Sequence, residues 1–119
     1  MIEIDDEEEL NGILEKTEKV LALFYASWCP YCRNIVPAFD KKITNFTVGR
    51  VIHVLLDDYD NTLWDNYDVE AVPTVILFEK GKVSRRLDGK FGVGLNEKKL
   101  SIWLEELLRN HTKADVIRQ

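Results

Sequence analysis

Apolar and polar residues change rhythm several times along this chain, and each rhythm predicts an element. Ile2 and Ile4 alternate with acids, the period of a very short strand over residues 1–4. Leu10, Ile13 and Leu14 share one face of a helix over residues 7–16. Asp5 or Asp6 caps that helix, and Glu7, Glu8 and Glu9 suit its positive N-terminal end. Residues 20–25 (VLALFY) are almost continuously apolar, as expected of a strand covered on both faces. After a loop at 26–28 a helix runs from Pro30 to Thr44, and residues 51–56 (VIHVLL) form a second buried strand closed by Asp57 and Asp58. A short helix at 62–67 follows. Residues 74–78 (TVILF) and 82–87 then flank a hairpin turn at Lys80-Gly81. Leu100, Trp103, Leu104, Leu107 and Leu108 recur at three- and four-residue spacing, a helix over 96–110 for which Asn96, with Lys99 three residues on, is a partial cap. Residues 111–119 read as a mobile tail. The order β-α-β-α-β-α-β-β-α requires a mixed sheet with helices on both faces.

Composition narrows the class. A chain of 119 residues, 45% hydrophobic and 31% charged, without repeats or a linker, is expected to be one soluble globular domain, here taken as a monomer. The formal charge of -5 is unevenly placed: residues 1–9 hold six acids and no base, leaving 15 acids against 16 bases in the remainder. With a pI of about 5.0 and no basic stripe, no nucleic-acid partner is expected. No apolar run approaches the roughly 18 residues of a membrane span, so no membrane partner is expected either. The start of the chain has neither a basic n-region nor an apolar h-region, which makes the cytoplasm the expected compartment.

The two cysteines change the picture most. They fall within four residues, Cys29-Pro30-Tyr31-Cys32, between a buried strand and a helix. A thiol at a helix N-terminus meets free backbone N–H groups and the positive end of the helix dipole, which favour the nucleophilic thiolate. Pro30 suits the first helical position because it has no N–H to leave unsatisfied. Cys32, three residues on, lies on the same face and within reach of a disulfide. This predicts an exchange in which Cys29 attacks a substrate disulfide and Cys32 then attacks Cys29 to release the reduced product. A zinc site is the competing chemistry, but it would have to recruit His53 and His111, which lie far along the chain without finger-like spacing. His53 reads as a strand residue, and Trp64 and Trp103 as packing residues.

At these residues the chain resembles the thioredoxin superfamily over nearly its whole length. Phe24 to Cys32 (FYASWCPYC) is similar to that family's strand, aromatic loop and active-site helix, Pro37 falls where thioredoxins kink the helix, and Val72-Pro73-Thr74 resembles the family's cis-proline segment. The resemblance implies a thioredoxin fold, a three-layer α/β/α arrangement around a central mixed β-sheet. It implies a cis Val72–Pro73 bond facing the thiols, with Val72 offering its backbone to an extended substrate segment. Trp28 would expose its indole beside the nucleophile, a core tryptophan being the alternative. The expected site is thus Cys29 as nucleophile and Cys32 as resolving thiol, with Trp28, Pro30, Tyr31, Val72 and Pro73 contacting substrate.

Two departures bear on the chemistry. Leu23 stands where thioredoxins usually place a buried Asp that helps deprotonate the resolving thiol, which leaves the base for Cys32 unassigned. Pro30-Tyr31 is the dipeptide familiar from glutaredoxins rather than the usual Gly-Pro. The expected activity is reduction of protein disulfides with no cofactor beyond the redox-active Cys29–Cys32 disulfide, the partners being disulfide-containing protein substrates and an electron-donor reductase. The alternatives are a glutathione-linked glutaredoxin-like reductase, a more oxidising oxidase or isomerase, and a non-catalytic binding module of the same fold.

Overall fold

The computed structural model describes residues 2–46 and 49–118; at Asn45 and at residues 110–118 only the backbone is described. The chain runs β1 (Ile2–Ile4), α1 (Glu7–Lys16), β2 (Lys19–Tyr25), α2 (Cys32–Lys42), a 3-10 turn (Ile43–Asn45), β3 (Arg50–Leu55), α3 (Leu63–Asn66), β4 (Thr74–Glu79), β5 (Lys82–Leu87) and α4 (Glu97–Arg118). The five strands form one sheet in the order β1-β3-β2-β4-β5. β1, β3 and β2 are parallel, whereas β4 and β5 are antiparallel to their neighbours, which gives the mixed sheet expected of this element order.

Alternation along the central strand divides the interior in two. Val20, Ala22 and Phe24 of β2 pack with Leu10 and Leu14 of α1 and Leu63 of α3, while Leu21 and Leu23 pack with Ile35 and Phe39 of α2 and Leu100, Leu104 and Leu107 of α4. Successive strand side chains point to opposite faces, so one apolar run supplies both cores and makes the middle layer of an α/β/α stack. Phe24, Phe39 and Phe78 are fully buried. Truncating any of them to Ala would cost about 3–5 kcal/mol.

Local chemistry explains the element ends. The Asp6 carboxylate accepts the Glu9 N–H at 2.7 Å, capping α1. Asn96 is a fuller cap than its spacing suggests, its side-chain oxygen accepting the N–H groups of Lys98 at 2.7 Å and Lys99 at 3.3 Å. Lys80 (φ 54) and Gly81 (φ 79) both take the left-handed conformation that a two-residue hairpin turn requires. The bounds of α4 extend beyond the expected end at Asn110. The expected mobile tail at 111–119 falls outside the residues described with side chains.

Candidate functional site

The pairing of β2 with β4 brings the ends of the two strands together, Phe24 opposite Thr74. The segment after β2 carries Trp28, Cys29, Pro30 and Tyr31, and the segment before β4 carries Ala71, Val72 and Pro73. The α helix begins at Cys32 rather than Pro30. Ahead of it the chain winds more tightly, with i→i+3 bonds from the Cys32 N–H to the Cys29 carbonyl at 3.2 Å and from the Arg33 N–H to the Pro30 carbonyl at 3.4 Å. Cys29 and Pro30 therefore lie in the turn that leads into α2, and Tyr31 is its cap residue.

Both cysteines are free thiols buried to about the same extent. Cys29 lines a cavity of about 270 Å3, together with Trp28, Pro30, Tyr31 and Val72, and its thiol donates to the Val72 carbonyl at 3.5 Å. Cys32 is not part of that wall. Burial first, and the hydrogen bond with Cys29 second, push the Cys32 thiol up to about 12, against a weaker lowering by the Ala26 backbone. The Val72–Pro73 bond is cis. Five of the seven expected residues thus share one cavity wall, with buried Cys32 and Pro73 next to them in the chain.

Leu23 is fully buried in the α2/α4 core, between His53 on β3 and Val75 on β4. His53 is more than a strand filler: its Nε2 lies 2.7 Å from an Asp40 carboxylate oxygen on α2, and its ring meets Tyr25 and Phe39. Trp28 is 46% exposed, so its indole is outside the core.

Three parts of the site come from outside the segments singled out by sequence. Asp57, just beyond β3, grips the cysteine loop, its carboxylate accepting the Ser27 N–H at 2.6 Å and the Ser27 hydroxyl at 2.7 Å. Tyr59 and Trp64 line the cavity, and Trp64 also packs against the core, as expected of it. The loop between β5 and α4 forms the remaining wall through Lys90, Phe91 and Gly92, and the Tyr31 hydroxyl donates to the Gly92 carbonyl at 2.6 Å. That loop can come so close because of two of its three glycines. A Cβ at Gly89 would meet the Pro73 carbonyl oxygen at 2.3 Å, and one at Gly94 would meet the Tyr31 Cβ at 2.5 Å. The one available signal was the lone aromatic in the acidic run Asp57-Asp58-Tyr59-Asp60, at the C-terminal end of a parallel strand where ligands of open α/β sheets gather.

Chemically, the arrangement holds one thiol in a cavity wall and a second, buried and protonated, one turn away. Such a pair can close a disulfide at the expense of another. Of the two histidines a zinc site would need, His53 is engaged with Asp40, and His111 lies outside the residues described with side chains.

Comparison with known proteins extends the picture. A family model described as Thioredoxin matches residues 1–105. The chain is 35% identical over 86 residues to protein disulfide-isomerase A5 of Bos taurus, covering 69% of this chain and 16% of that protein, so it spans about a sixth of that relative. It is 30% identical over 89 residues to a thioredoxin of Mycoplasmoides gallisepticum, covering 75% of this chain and 88% of that one. Among solved structures, Fasciola hepatica thioredoxin superposes with a TM-score of 0.70 at 25% identity, over 89% of this chain and 98% of the other.

Proposed function

This chain belongs to the thioredoxin family, and we propose on that premise that it is a thiol-disulfide oxidoreductase that reduces protein disulfides. The observation that carries the reading is the division of labour between two thiols three residues apart: both are buried, but Cys29 lies in the cavity wall and Cys32 behind it, held protonated. The Cys29 thiolate attacks one sulfur of a substrate disulfide; a bond forms between them, the substrate bond breaks, and the departing sulfur takes a proton. Cys32 then loses its proton and attacks Cys29, which closes the Cys29–Cys32 disulfide and releases the second substrate thiol. Two electrons have passed to the substrate. No further cofactor enters.

Trp28, Pro30, Tyr31 and Val72 contact the substrate segment, and Pro73 holds Val72 with its backbone toward the thiols. The partners of this reading are disulfide-containing proteins and a reductase that returns the pair to the dithiol. In this reading the protein works as a monomer in the reducing setting of the cytoplasm, with neither nucleic acid nor membrane as partner; the acidic balance and the absence of a basic stripe speak against nucleic acid.

Insulin reduction with dithiothreitol as electron source tests the reading. Wild type accelerates the reaction, Cys29→Ser abolishes the acceleration, and Cys32→Ser accumulates mixed disulfides visible on a non-reducing gel. Full activity in Cys29→Ser, or no acceleration by wild type, would contradict it.

A further inference from the structure

Three aromatic rings stand side by side next to Cys29, and one loop holds them. The Trp28 indole N–H donates to the Asp57 carbonyl at 3.0 Å, and the Trp64 indole N–H donates to the following carbonyl, that of Asp58, also at 3.0 Å. The next residue is Tyr59. Its ring lies 5.1 Å from that of Trp28 at a tilt of 31° and 6.5 Å from that of Trp64 at 17°, within the range of favourable aromatic pairing. The loop itself is braced at its start by Asp57 on Ser27 and within by the Asp58 carboxylate, which accepts the Asp60 N–H at 2.9 Å. Tyr59 is nevertheless 76% exposed. Its position is held in advance, with most of its face left to water.

The distribution of exposed rings points the same way. Among the described residues the exposed aromatics are Trp28, Tyr31, Tyr59 and Phe91, and all four line the cavity that contains Cys29. Apolar rings gathered on one concave patch mark a surface meant to be covered. The occupant follows from continuity with the thiol. Anything joined to Cys29 by disulfide exchange is tethered in this cavity, and an extended chain carries its neighbouring side chains into the walls around it.

We propose that Tyr59, seated on Trp28 and Trp64, determines specificity by taking up a bulky apolar side chain next to the reacting cysteine of a protein substrate. The proposal rests on the dithiol-exchange reading and deepens it by naming the substrate feature selected. The rings are already paired in the free protein, which lowers the ordering cost that weakens flexible sites. A small polar disulfide such as oxidised glutathione has no side chain to fill the slot.

The test uses two disulfide-bridged peptides that differ only in carrying Phe or Ser beside the cysteine, with wild type, Tyr59→Ala and Tyr59→Phe, each checked for folding by circular dichroism. Wild type should favour the Phe peptide in kcat/KM by about tenfold, the size of discrimination an apolar pocket supplies. That ratio should fall to less than about twofold in Tyr59→Ala and survive in Tyr59→Phe, which keeps the ring. A wild-type ratio near one, or an equal loss on both peptides in Tyr59→Ala, overturns the proposal. If wild type reduces neither peptide nor oxidised glutathione, the exchange reading fails instead. The slot is then judged by tryptophan fluorescence with the same peptides carrying Ser for Cys: saturable quenching by the Phe peptide that Tyr59→Ala abolishes upholds it, and no difference between the peptides overturns it.

Discussion

The Cys29 thiol donates to the Val72 carbonyl at 3.5 Å, joining residues 43 positions apart. The contact exists because β2 and β4 are neighbours whose paired ends deliver a thiol from one segment and a carbonyl from the other. Cys32 makes no such outward contact. Its environment is set by burial, by Cys29 and by the Ala26 backbone.

The reduced protein should lose stability as the solution becomes alkaline. The folded Cys32 thiol titrates at about 12, above its ordinary value of 9.0, so between those values the folded state retains a proton that the unfolded chain has released. Stability is fully present below pH 9 and falls as pH rises toward 12, by less than the roughly 1.4 kcal/mol per pH unit of a full proton difference. Urea midpoints at pH 7, 9 and 10 for reduced wild type and Cys32→Ser would reveal it. Parallel curves for the two proteins would contradict the assignment.

Gly94→Ala should destabilise the fold by about 1–3 kcal/mol, because φ is +76° there and the new Cβ would press on the Tyr31 ring. The loss should shrink in a Tyr31→Gly background, where both the Tyr31 Cβ and its ring are gone and only the backbone penalty remains. Chemical denaturation of the four proteins of this cycle measures the coupling. Strict additivity would mean that the loop and the cysteine turn are not pressed together.

Asp57→Ala removes both bonds to Ser27 and should cost about 1–2 kcal/mol, whereas Asp57→Asn keeps an acceptor for the Ser27 N–H and should cost less. Amide exchange at Ser27 reads the effect locally. Equal protection in wild type and Asp57→Ala would show that the brace is dispensable.

Much of this was legible in advance, for physical reasons that differ from element to element. The run VLALFY declared a two-faced strand because alternate side chains must find cover on both sides of a central position, and Leu21 and Leu23 do so against different helices from Ala22 and Phe24. The cysteine spacing was readable because one turn of chain brings residues three apart together. Its start was misplaced by two residues, since Pro30 favours helical φ without dictating whether the first bonds close over three residues or four. Trp64 packs against the core as its sequence implies, but spacing alone cannot tell that the same half-buried ring also lines a cavity. His53 likewise carried no mark of its Asp40 partner, which comes from another element.

The sequence by itself determined the succession of elements, the mixed character of the sheet and the presence of a paired thiol at a strand-to-helix turn. The elements and the thiol spacing depend on interactions among residues a few positions apart, and the mixed sheet follows from the lengths of the connections between strands. Only the tertiary structure decided the walls around that pair: the Asp57 clamp, the Tyr59 ring between two tryptophans, and the glycine-rich loop pressed on Tyr31 and Pro73. Those groups lie about 30 to 65 residues from Cys29 along the chain. Strand pairing and the packing of loops at the end of the sheet bring them together, and no local pattern encodes that encounter.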